Sequence, residues 1–205
     1  MNPPAEERMN QSAVRRRLAT ARVGIIGLGG LGSNVAMMLA RSGVRRFVLA
    51  DFDSVDEPNL NRQMYFPDQI GHLKVDALSE HLTRLVPDVE LELHACRITR
   101  DNLPGIFGAI DVLIEAVDTA EDKTAIVETA TDALPDVPVI WAMGLAGYSS
   151  ANEIETRQLG ETCWVIGDLE ADVRDGLPLL APRVMVAAAH EAHMAVRILL
   201  GHKEP

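Results

Sequence analysis

The segment Ile25–Gly32 runs from apolar residues into a glycine-rich loop, and it constrains the fold more than any other stretch. Gly27, Gly29 and Gly32 match the pattern G-x-G-x-x-G, in which glycines allow a tight turn, close approach of a phosphate and close helix–strand packing. The residues that follow, 33–41, are expected to form a helix whose first N–H groups attract negative charge. The segment therefore predicts a strand, loop and helix that bind a nucleotide, without saying which one.

Apolar runs alternate with amphipathic runs over the first 142 residues. This alternation is typical of an α/β fold with a doubly wound, mostly parallel Rossmann-like sheet and helices on both faces. Ligands of such sheets bind beyond the carboxyl ends of the strands, so the polar residues at those ends are expected to share one rim. The predicted strands are 22–26, 46–50, 89–95, 111–116 and 137–142, and the predicted helices are 31–41, 73–86, 102–107 and 120–133, with a helical turn at 57–63.

The two ends of the chain follow other patterns. Residues 1–20 are expected to form a helical extension, with the helix itself over 5–20. Residues 153–159 and 163–166 could pair as a hairpin or as edge strands, and 167–182 predicts a mobile loop. A long helix over 184–200 is apolar around much of its circumference, so we expect it to be buried or to lie at an interface. Without a repeat or a long linker, residues 1–205 are expected to form a single domain.

Charge and composition argue against several classes of protein. The formal net charge of −11 disfavours broad nucleic-acid binding, which needs cationic surface. No apolar run reaches the ~20 residues of a membrane span, and residues 1–20 lack the apolar core of a secretory signal. Two cysteines, Cys96 and Cys163, are too few for a disulfide framework or a four-cysteine zinc site. We therefore expect a cytoplasmic protein with neither nucleic acid nor membrane as a partner.

Charged side chains follow the second predicted strand. Asp51 lies at the distance from the glycine loop at which an acid of this fold accepts ribose hydroxyls, although Asp51 and Asp53 could instead be capping acids at a turn. Within the turn Asn59–Gln63, Arg62 could hold a phosphate with its planar guanidinium. Lys74 begins a predicted helix, where the helix dipole disfavours a cation; this suggests another task, with an ordinary exposed lysine as the alternative.

Asp118 follows the fourth predicted strand. It could be the N-cap of the next helix, or a magnesium ligand beside a polyphosphate. Arg62 and Lys74 supply two cations on the same rim. Two cations and a magnesium ligand suit a triphosphate, whereas a plain dinucleotide dehydrogenase would not need the three residues together.

Five stretches together resemble the ThiF/MoeB/HesA family of sulfur-carrier adenylyltransferases, which are relatives of the ubiquitin-activating enzymes. The similarity runs from about Arg22 to Gly201, and the compact part at 144–182 resembles most the shorter ThiF-type proteins linked to thiamine biosynthesis. The matching stretches are Gly-Leu-Gly-Gly-Leu-Gly-Ser at 27–33, Asp-Phe-Asp-Ser-Val at 51–55, Asn-Leu-Asn-Arg-Gln at 59–63, Gly-His-Leu-Lys-Val at 71–75 and the strand end at Asp118.

The resemblance implies ATP-dependent adenylation of the C-terminal glycine of a small, ubiquitin-like ThiS-like carrier protein that ends in Gly-Gly. It also implies magnesium as a cofactor and a homodimer, to which the long C-terminal helix would contribute. The attacking carboxylate is already ionised at neutral pH, so the reaction needs no strong base. By the same resemblance the phosphates are held at Gly30 and neighbouring N–H groups, the ribose at Asp51 with Asp53 beside it, the nucleotide at Asn59 and Arg62, a phosphate at Lys74, and magnesium at Asp118.

The chain also departs from the family pattern. Many relatives carry two Cys-x-x-Cys zinc-binding pairs, which this chain lacks, so no structural zinc is expected. Many carry an N-terminal arginine motif that reaches the partner's ATP, which Arg15–Arg17 do not match. Cys163 is the positional candidate for a covalent link to the carrier, but a small buried hydrophobe is the favoured interpretation. His190 and His193 are one residue short of the H-E-x-x-H spacing and predict helix packing or a dimer contact.

Three other functions stay open at this point. An oxidoreductase that binds NAD fits the glycine loop and Asp51, but leaves Arg62, Lys74 and Asp118 without a purpose. A non-catalytic module could retain only the surface that docks a carrier. A tRNA-modifying dehydratase of the same fold is disfavoured by the acidic charge, unless a local basic patch exists.

Overall fold

The computed structural model describes residues 9–205, in which seven strands form one sheet. The strands are β1 (Arg22–Ile26), β2 (Arg46–Ala50), β3 (Glu90–His94), β4 (Val112–Glu115), β5 (Val139–Ala142), β6 (Glu155–Gln158) and β7 (Cys163–Gly167). Their order across the sheet is β3-β2-β1-β4-β5-β7-β6, and only β6 and β7 pair antiparallel. The predicted mostly parallel sheet is confirmed, and so is the C-terminal hairpin.

The α-helices of the described range cover both faces of this sheet. They are α1 (Gln11–Thr20), α2 (Gly32–Ser42), α3 (Lys74–Leu85), α4 (Leu103–Phe107), α5 (Ala120–Ala133) and α6 (Ala181–Leu199). One core cluster contains the apolar side chains of α1, α2, α3 and α6, and a second contains those of α4 and α5. A core on each face is what a doubly wound sheet requires.

The composition of the central strands explains their position. All four residues of β4, Val-Leu-Ile-Glu, are buried, and β1 is buried from its second residue onward. Nearly continuous apolar runs of this kind are typical of parallel strands covered on both faces. At the edge of the sheet, β3 alternates Glu and Leu and is largely exposed. Because the polar strand β3 lies at the edge, the strands in the interior of the sheet are the buried ones, β1 and β4 among them.

The ends of several elements differ from the predicted ones. Helix α1 begins at Gln11, where the side chain of Asn10 accepts from Ala13 N; residues 5–8 of the predicted helix lie outside the described range. Helix α6 begins at Ala181 instead of Val184, because Pro182 fits the first turn, where its missing N–H is not needed. The predicted helical turn at 57–63 is a 3₁₀ turn over Glu57–Asn59.

The segment between β7 and α6 is held by polar contacts of two side chains. Asp168 accepts two backbone N–H groups and pairs with Arg183, which is 4% exposed. The Arg183 guanidinium also donates to Ser149 O at 3.0 Å and Ser150 O at 2.8 Å. Burial alone would raise the pKa of Asp168, but the backbone N–H groups and Arg183 lower it. These bonds tie the start of α6 to two loops, while the mobility of 167–182 stays a prediction.

One side of the long helix α6 is buried, as its composition predicts. Its apolar side packs against α2 in the same chain, with Val184, Ala188 and Ala195 among its buried residues. Despite this apolar character, no helix between residues 9 and 205 has the length and hydropathy needed to cross a membrane. The alternative expectation, an interface between subunits, is not needed to explain the buried side of α6.

Candidate functional site

The carboxyl ends of β1, β2 and β4 meet at one edge of the sheet. Because β1 lies between β2 and β4, the glycine loop after β1 is flanked by Asp51 after β2 and by residues 116–118 after β4. Connections leave β1 and β4 toward opposite sides of the sheet at this point, which is where doubly wound sheets bind their ligands. The prediction that the glycine loop, Asp51 and Asp118 share one rim is confirmed by the strand order.

Two glycines of the loop are packed too closely to carry a side chain. Gly27 has a φ of +86°, and a Cβ there would lie 2.6 Å from the carbonyl oxygen of Ala116. A Cβ on Gly32 would overlap the carbonyl oxygen of Gly27. Gly29 differs, because its nearest neighbour in that direction is Gln63 Nε2 at 3.6 Å. The first and third glycines therefore hold the loop together, and the second leaves space above it.

Three consecutive N–H groups of the loop are free to bind an anion. Gly29 N, Gly30 N and Leu31 N have no acceptor within residues 9–205, whereas the preceding Leu28 N donates to Asp51 Oδ2 at 2.6 Å. Free backbone N–H groups at the start of a helix form a concave site for phosphate. The loop thus fits a phosphate group by its hydrogen-bonding capacity as well as by its glycine pattern.

Two polar side chains at the start of α2 hold the loop to the segment 59–64. Asn34 Nδ2 donates to Gly30 O at 2.7 Å and to Arg62 O at 3.0 Å. Ser33 Oγ donates to a loop carbonyl at 2.6 Å and accepts from Met64 N at 3.1 Å. Sequence analysis missed both residues, although polar residues in the first turn of an otherwise apolar helix were an available signal.

Arg62 forms no ion pair with any residue of the described range. Its guanidinium donates to Asn61 Oδ1 at 2.9 Å and, at longer range, to Asn59 Oδ1 at 3.4 Å and Pro58 O at 3.5 Å. The Cγ of Arg62 lies 3.2 Å from the Cβ position of Gly30. The aliphatic part of Arg62 therefore lies beside the loop with the free N–H groups, and its guanidinium is bound only to neutral oxygens.

Asp51, Asp53 and Lys74 form a charged cluster that contacts the loop through Leu28 N. Lys74 is 6% exposed, and its Nζ lies 2.8 Å from Asp53 Oδ2 and 4.0 Å from Asp51 Oδ2. Burial raises the pKa of Asp51, which Lys74 and the N–H groups of Leu28 and Asp53 oppose. The alternative of an ordinary exposed lysine is wrong. Asp51 does cap the turn, and a carboxylate that accepts two N–H groups keeps further lone pairs for a ligand.

Asp118 lies exposed in the turn between β4 and α5. The N-cap of α5 is Thr119, whose Oγ1 accepts from Asp122 N at 3.1 Å, so the alternative of Asp118 as the cap is wrong. Within residues 9–205 no group of three or more His, Cys, Asp or Glu side chains could hold a metal. Magnesium at Asp118 would therefore take its other ligands from phosphate oxygens and water, as is usual for this ion.

A buried ion pair below Asp118 was not predicted from the sequence. Glu115 is fully buried, with Oε2 2.6 Å from Lys123 Nζ and Oε1 accepting from Val117 N at 2.7 Å. Burial raises the pKa of Glu115, and the Lys123 ammonium opposes this. The available signal was a glutamate that ends an apolar strand, with a lysine eight residues later on the next helix.

A second buried acid, Glu191, lies in the middle of α6. It is fully buried, and neither carboxyl oxygen has a hydrogen-bond partner in the described part of the chain. Burial raises the pKa of Glu191 well above its usual value; the charge of Lys123 opposes the shift and that of Glu115 adds to it. Burial therefore favours the neutral form of this carboxyl group.

The remaining candidate residues take structural positions. Arg17 Nε donates to Leu199 O at 2.9 Å, which joins α1 to the end of α6. Cys163 lies in β7, where it is half-buried, and burial raises the pKa of its thiol. His190 Nδ1 lies 3.0 Å from Thr156 Oγ1, a contact between α6 and the edge of the sheet.

With this geometry in place, comparison with known proteins decides the family. The model of the ThiF family matches residues 6–205. The chain belongs to the ThiF family. Ubiquitin-like modifier-activating enzyme 5 of Drosophila persimilis is 37% identical over 134 residues, which are 60% of this chain and 35% of that protein. The Caenorhabditis elegans enzyme of the same name is 35% identical over 133 residues, which are 60% and 32%. The chain thus spans about a third of the length of these curated relatives.

Solved structures share the fold of this ThiF-family chain. The structure of Escherichia coli tRNA N6-threonylcarbamoyladenosine dehydratase, TcdA, in complex with ATP has a TM-score of 0.83 at 20% identity, covering 91% of this chain and 88% of that one. Escherichia coli MccB with ATP has a TM-score of 0.73 at 21% identity, covering 94% and 59%. At such identities the similarity to solved structures shows the fold alone. The family assignment made from the sequence is confirmed by the match to the family model.

Proposed function

We propose that this chain adenylates the C-terminal glycine of a small ubiquitin-like sulfur carrier protein, with ATP as the co-substrate. The observation that carries the proposal is that three free N–H groups of the glycine loop lie beside the side chain of Arg62, whose guanidinium has no acidic partner in the described residues. Membership of the ThiF family supports it, as do relatives named for activating a ubiquitin-like modifier. The proposed carrier is ThiS-like, the pathway is thiamine biosynthesis, and the compartment is the cytoplasm.

In this proposal different residues of the rim bind different parts of the nucleotide. Gly29, Gly30 and Leu31 N–H groups and the Arg62 guanidinium bind phosphate oxygens, where a planar fork and free N–H donors are strong ligands. Asp51 accepts the ribose hydroxyls with the lone pairs that its backbone bonds leave over. Gly27 and Gly32 shape the loop, while Asn59 and Asp53 complete the nucleotide site.

Lys74 contacts phosphate in the proposed complex. Its ammonium already lies 2.8 Å from Asp53 Oδ2 and has three protons to donate, so it can keep that carboxylate and add a phosphate oxygen. Asp118 would hold magnesium, which neutralises charge on the phosphates when bound. An exposed carboxylate next to the glycine loop suits an ion that takes most of its ligands from phosphate and water.

The reaction requires the protein to position the two reactants and to stabilise the charge that builds on the phosphates. The ionised C-terminal carboxylate of the carrier attacks the α-phosphorus of ATP, an O–P bond forms, the bond to the β-phosphate bridge breaks, and pyrophosphate leaves with its electron pair. No proton is taken from the nucleophile, so no base is needed. Arg62 and Lys74 stabilise the charge that builds on the phosphates, and the rim holds the two reactants in line.

Pyrophosphate exchange into ATP tests the proposal directly. The protein is incubated with ATP, magnesium, labelled pyrophosphate and, in turn, each of several carrier proteins ending in Gly-Gly. Exchange that depends on one carrier, and is lost when that carrier lacks its last glycine, is the expected result. Persistent absence with every carrier would favour a non-catalytic docking module, and tight binding of NADH in place of ATP would favour an oxidoreductase.

A second candidate function is action on a modified tRNA. It is favoured by one observation, that the fold of this chain covers 88% of the tRNA dehydratase TcdA. The net charge of −11 counts against it. Under the first candidate we also propose a homodimer, which sedimentation equilibrium at micromolar concentration tests; a monomer at every concentration would contradict it.

A further inference from the structure

The turn that carries Asp118 is anchored on both sides of that residue. On the strand side, Glu115 Oε1 accepts from Val117 N at 2.7 Å. On the helix side, the Thr119 side chain accepts from Asp122 N at 3.1 Å. Asp118 lies between these two anchors; it is exposed, and its side chain makes no hydrogen bond or ion pair within the described residues. Its position is therefore set by its neighbours.

The strand-side anchor, Glu115, is itself held by an ion pair. Glu115 is fully buried, and its other oxygen lies 2.6 Å from Nζ of Lys123, which is also largely buried. Lys123 belongs to α5, so the pair joins the end of β4 to the helix that follows Asp118. Because Glu115 makes both contacts at once, the ammonium holds the carboxylate in the orientation that receives Val117 N.

The same turn touches the phosphate loop. A Cβ on Gly27 would lie 2.6 Å from Ala116 O and 2.9 Å from Val117 N, so the backbone of the loop runs directly against residues 116 and 117. A change in the turn would move either the loop or Asp118. The ion pair thus lies beneath the contact between the two proposed ligand-binding segments.

We infer that the buried Glu115–Lys123 ion pair is a positioning device, which sets the turn 116–118 so that the Asp118 carboxylate meets the magnesium ion of bound Mg–ATP. The inference rests on the proposed function for the presence of Mg–ATP in the crevice and for Asp118 as a ligand of its magnesium ion. Glu115 and Lys123 act through Asp118 and touch neither nucleotide nor metal.

A stabilising role alone does not account for the pair. Taking two charges out of water costs about as much as their attraction returns, and apolar residues of similar volume often replace such pairs without loss of stability. The carboxylate also spends one oxygen on a backbone N–H next to the proposed metal ligand, where an apolar side chain would leave the turn free. Side chains that orient a metal ligand typically change metal affinity by ~10–100-fold when they are removed.

The test measures ATP binding by titration calorimetry, with and without magnesium chloride. The key variant, Glu115→Leu/Lys123→Met, replaces both charges by apolar side chains, so no unpaired charge is left in the core. We expect its ATP affinity without magnesium to stay within about twofold of the wild type, while the gain in affinity on adding magnesium falls by ~10-fold or more. The conservative variant Lys123→Arg should keep most of the gain.

Two further variants separate positioning from general damage. In an Asp118→Asn background the pair replacement should cause no additional loss of the magnesium-dependent gain, because residues that act through one group are not additive. Arg100→Met/Asp132→Asn removes an exposed ion pair of 3.4 Å that also involves α5, and should leave the gain unchanged. Circular dichroism melting of each variant monitors the fold.

These titrations test the inference without any carrier protein. It is overturned if the magnesium-dependent gain survives the pair replacement, if the losses of the pair and of Asp118 add, or if wild-type affinity for ATP is indifferent to magnesium. Should exchange fail with every carrier while these titrations behave as expected, the proposed carrier chemistry fails and the positioning role stands.

Discussion

Arg62 is a cation whose charge is not neutralised by any acid within residues 9–205. Its contacts with Asn61, Asn59 and Pro58 are bonds to neutral oxygens, two of them at 3.4 Å and beyond. Arg62→Ala should therefore change the melting temperature little and lower carrier-dependent pyrophosphate exchange by ~10²–10³, the scale of a lost transition-state contact. Steady-state exchange rates at saturating ATP give the measurement.

Arg62 has a matched control in the same molecule. Arg100 is exposed and pairs with exposed Asp132 at 3.4 Å, away from the rim. Arg100→Ala should keep normal exchange, and Arg62→Lys should recover part of it, because a lysine restores the charge without the planar fork. Near-normal exchange by Arg62→Ala would remove this residue from the proposed site.

Glu191 makes a prediction about stability and pH. Its pKa in the folded protein is raised above 4.5, the usual value, because the carboxyl group is fully buried. Between 4.5 and the higher folded-state pKa, the folded chain holds one proton more than the unfolded chain, so the free energy of unfolding falls as pH rises, by up to ~1.4 kcal/mol per unit. Glu191→Gln removes the titrating group and should remove that slope.

The measurement is urea unfolding of both proteins from pH 5 to pH 8. Lys123 and Glu115 are the charged groups whose fields reach Glu191, and both are unchanged in the variant. The stability of Glu191→Gln relative to wild type should rise with pH until the folded-state pKa of Glu191 is reached, whereas an offset at pH 5 reports how well the amide fits. Glu161→Gln, at an exposed position, should run parallel to the wild type. Parallel curves for Glu191→Gln would show that Glu191 is not protonated in the fold.

The glycine loop makes a prediction at the scale of an element. A Cβ on Gly32 would overlap the Gly27 carbonyl oxygen, so Gly32→Ala must displace either the loop or the start of α2. We expect a loss of ~1–3 kcal/mol in the free energy of unfolding, the cost of overpacking, and a loss of ATP affinity. Denaturant unfolding and calorimetry measure the two effects.

Gly105 in α4 is the control for this substitution. A Cβ there would meet nothing within 4 Å, and its backbone is helical. Gly105→Ala should leave ATP affinity unchanged and raise stability by ~0.5–1 kcal/mol, since alanine loses less conformational freedom in a helix. If both alanine variants behaved alike, the tight packing of the loop would not be what shapes the phosphate site.

Elements were predictable from sequence where the signal is local. The glycine pattern, the apolar central strands and the acid after β2 are each encoded by neighbouring residues, and they place the rim correctly. The ends of helices were less accurate, because Pro182 stops a helix or begins one according to the turn that precedes it. The sequence offered Asp118 as a possible cap of α5, but Thr119, one residue later, is the cap. A shift of one residue in the start of the helix decides which side chain accepts from the backbone N–H.

Contacts between distant elements were not predictable in the same way. Glu115 and Lys123 meet only because α5 lies on β4, and their burial depends on the layers above them. Asn34 reaches Arg62 O across a fold of the chain that no periodicity reports. The anions and cations of the rim were therefore visible in the sequence, while the residues that hold them in place were not.

At the scale of the whole molecule, the balance of charge separates the two candidate substrates. Thirty acidic residues face nineteen basic ones, which gives the formal net charge of −11. Nucleic acid binds by replacing counterions with lysine and arginine, and an acidic surface opposes this at long range. A carrier protein delivers a single C-terminal carboxylate to a local pair of cations, so the global charge is a smaller obstacle for it.

Filter binding of labelled tRNA in the presence of ATP measures the difference. At about 150 mM salt we expect no retention at protein concentrations up to ~10 μM, the range in which non-specific nucleic-acid binders already bind. The exposed arginines Arg15 and Arg16, adjacent on α1, form a local positive patch that could bind tRNA despite the net charge. If tRNA is retained, Arg15→Glu/Arg16→Glu tests whether they bind it. Retention together with tRNA-dependent formation of AMP would overturn the carrier proposal in favour of the dehydratase, since a carrier-activating enzyme gains nothing from tRNA.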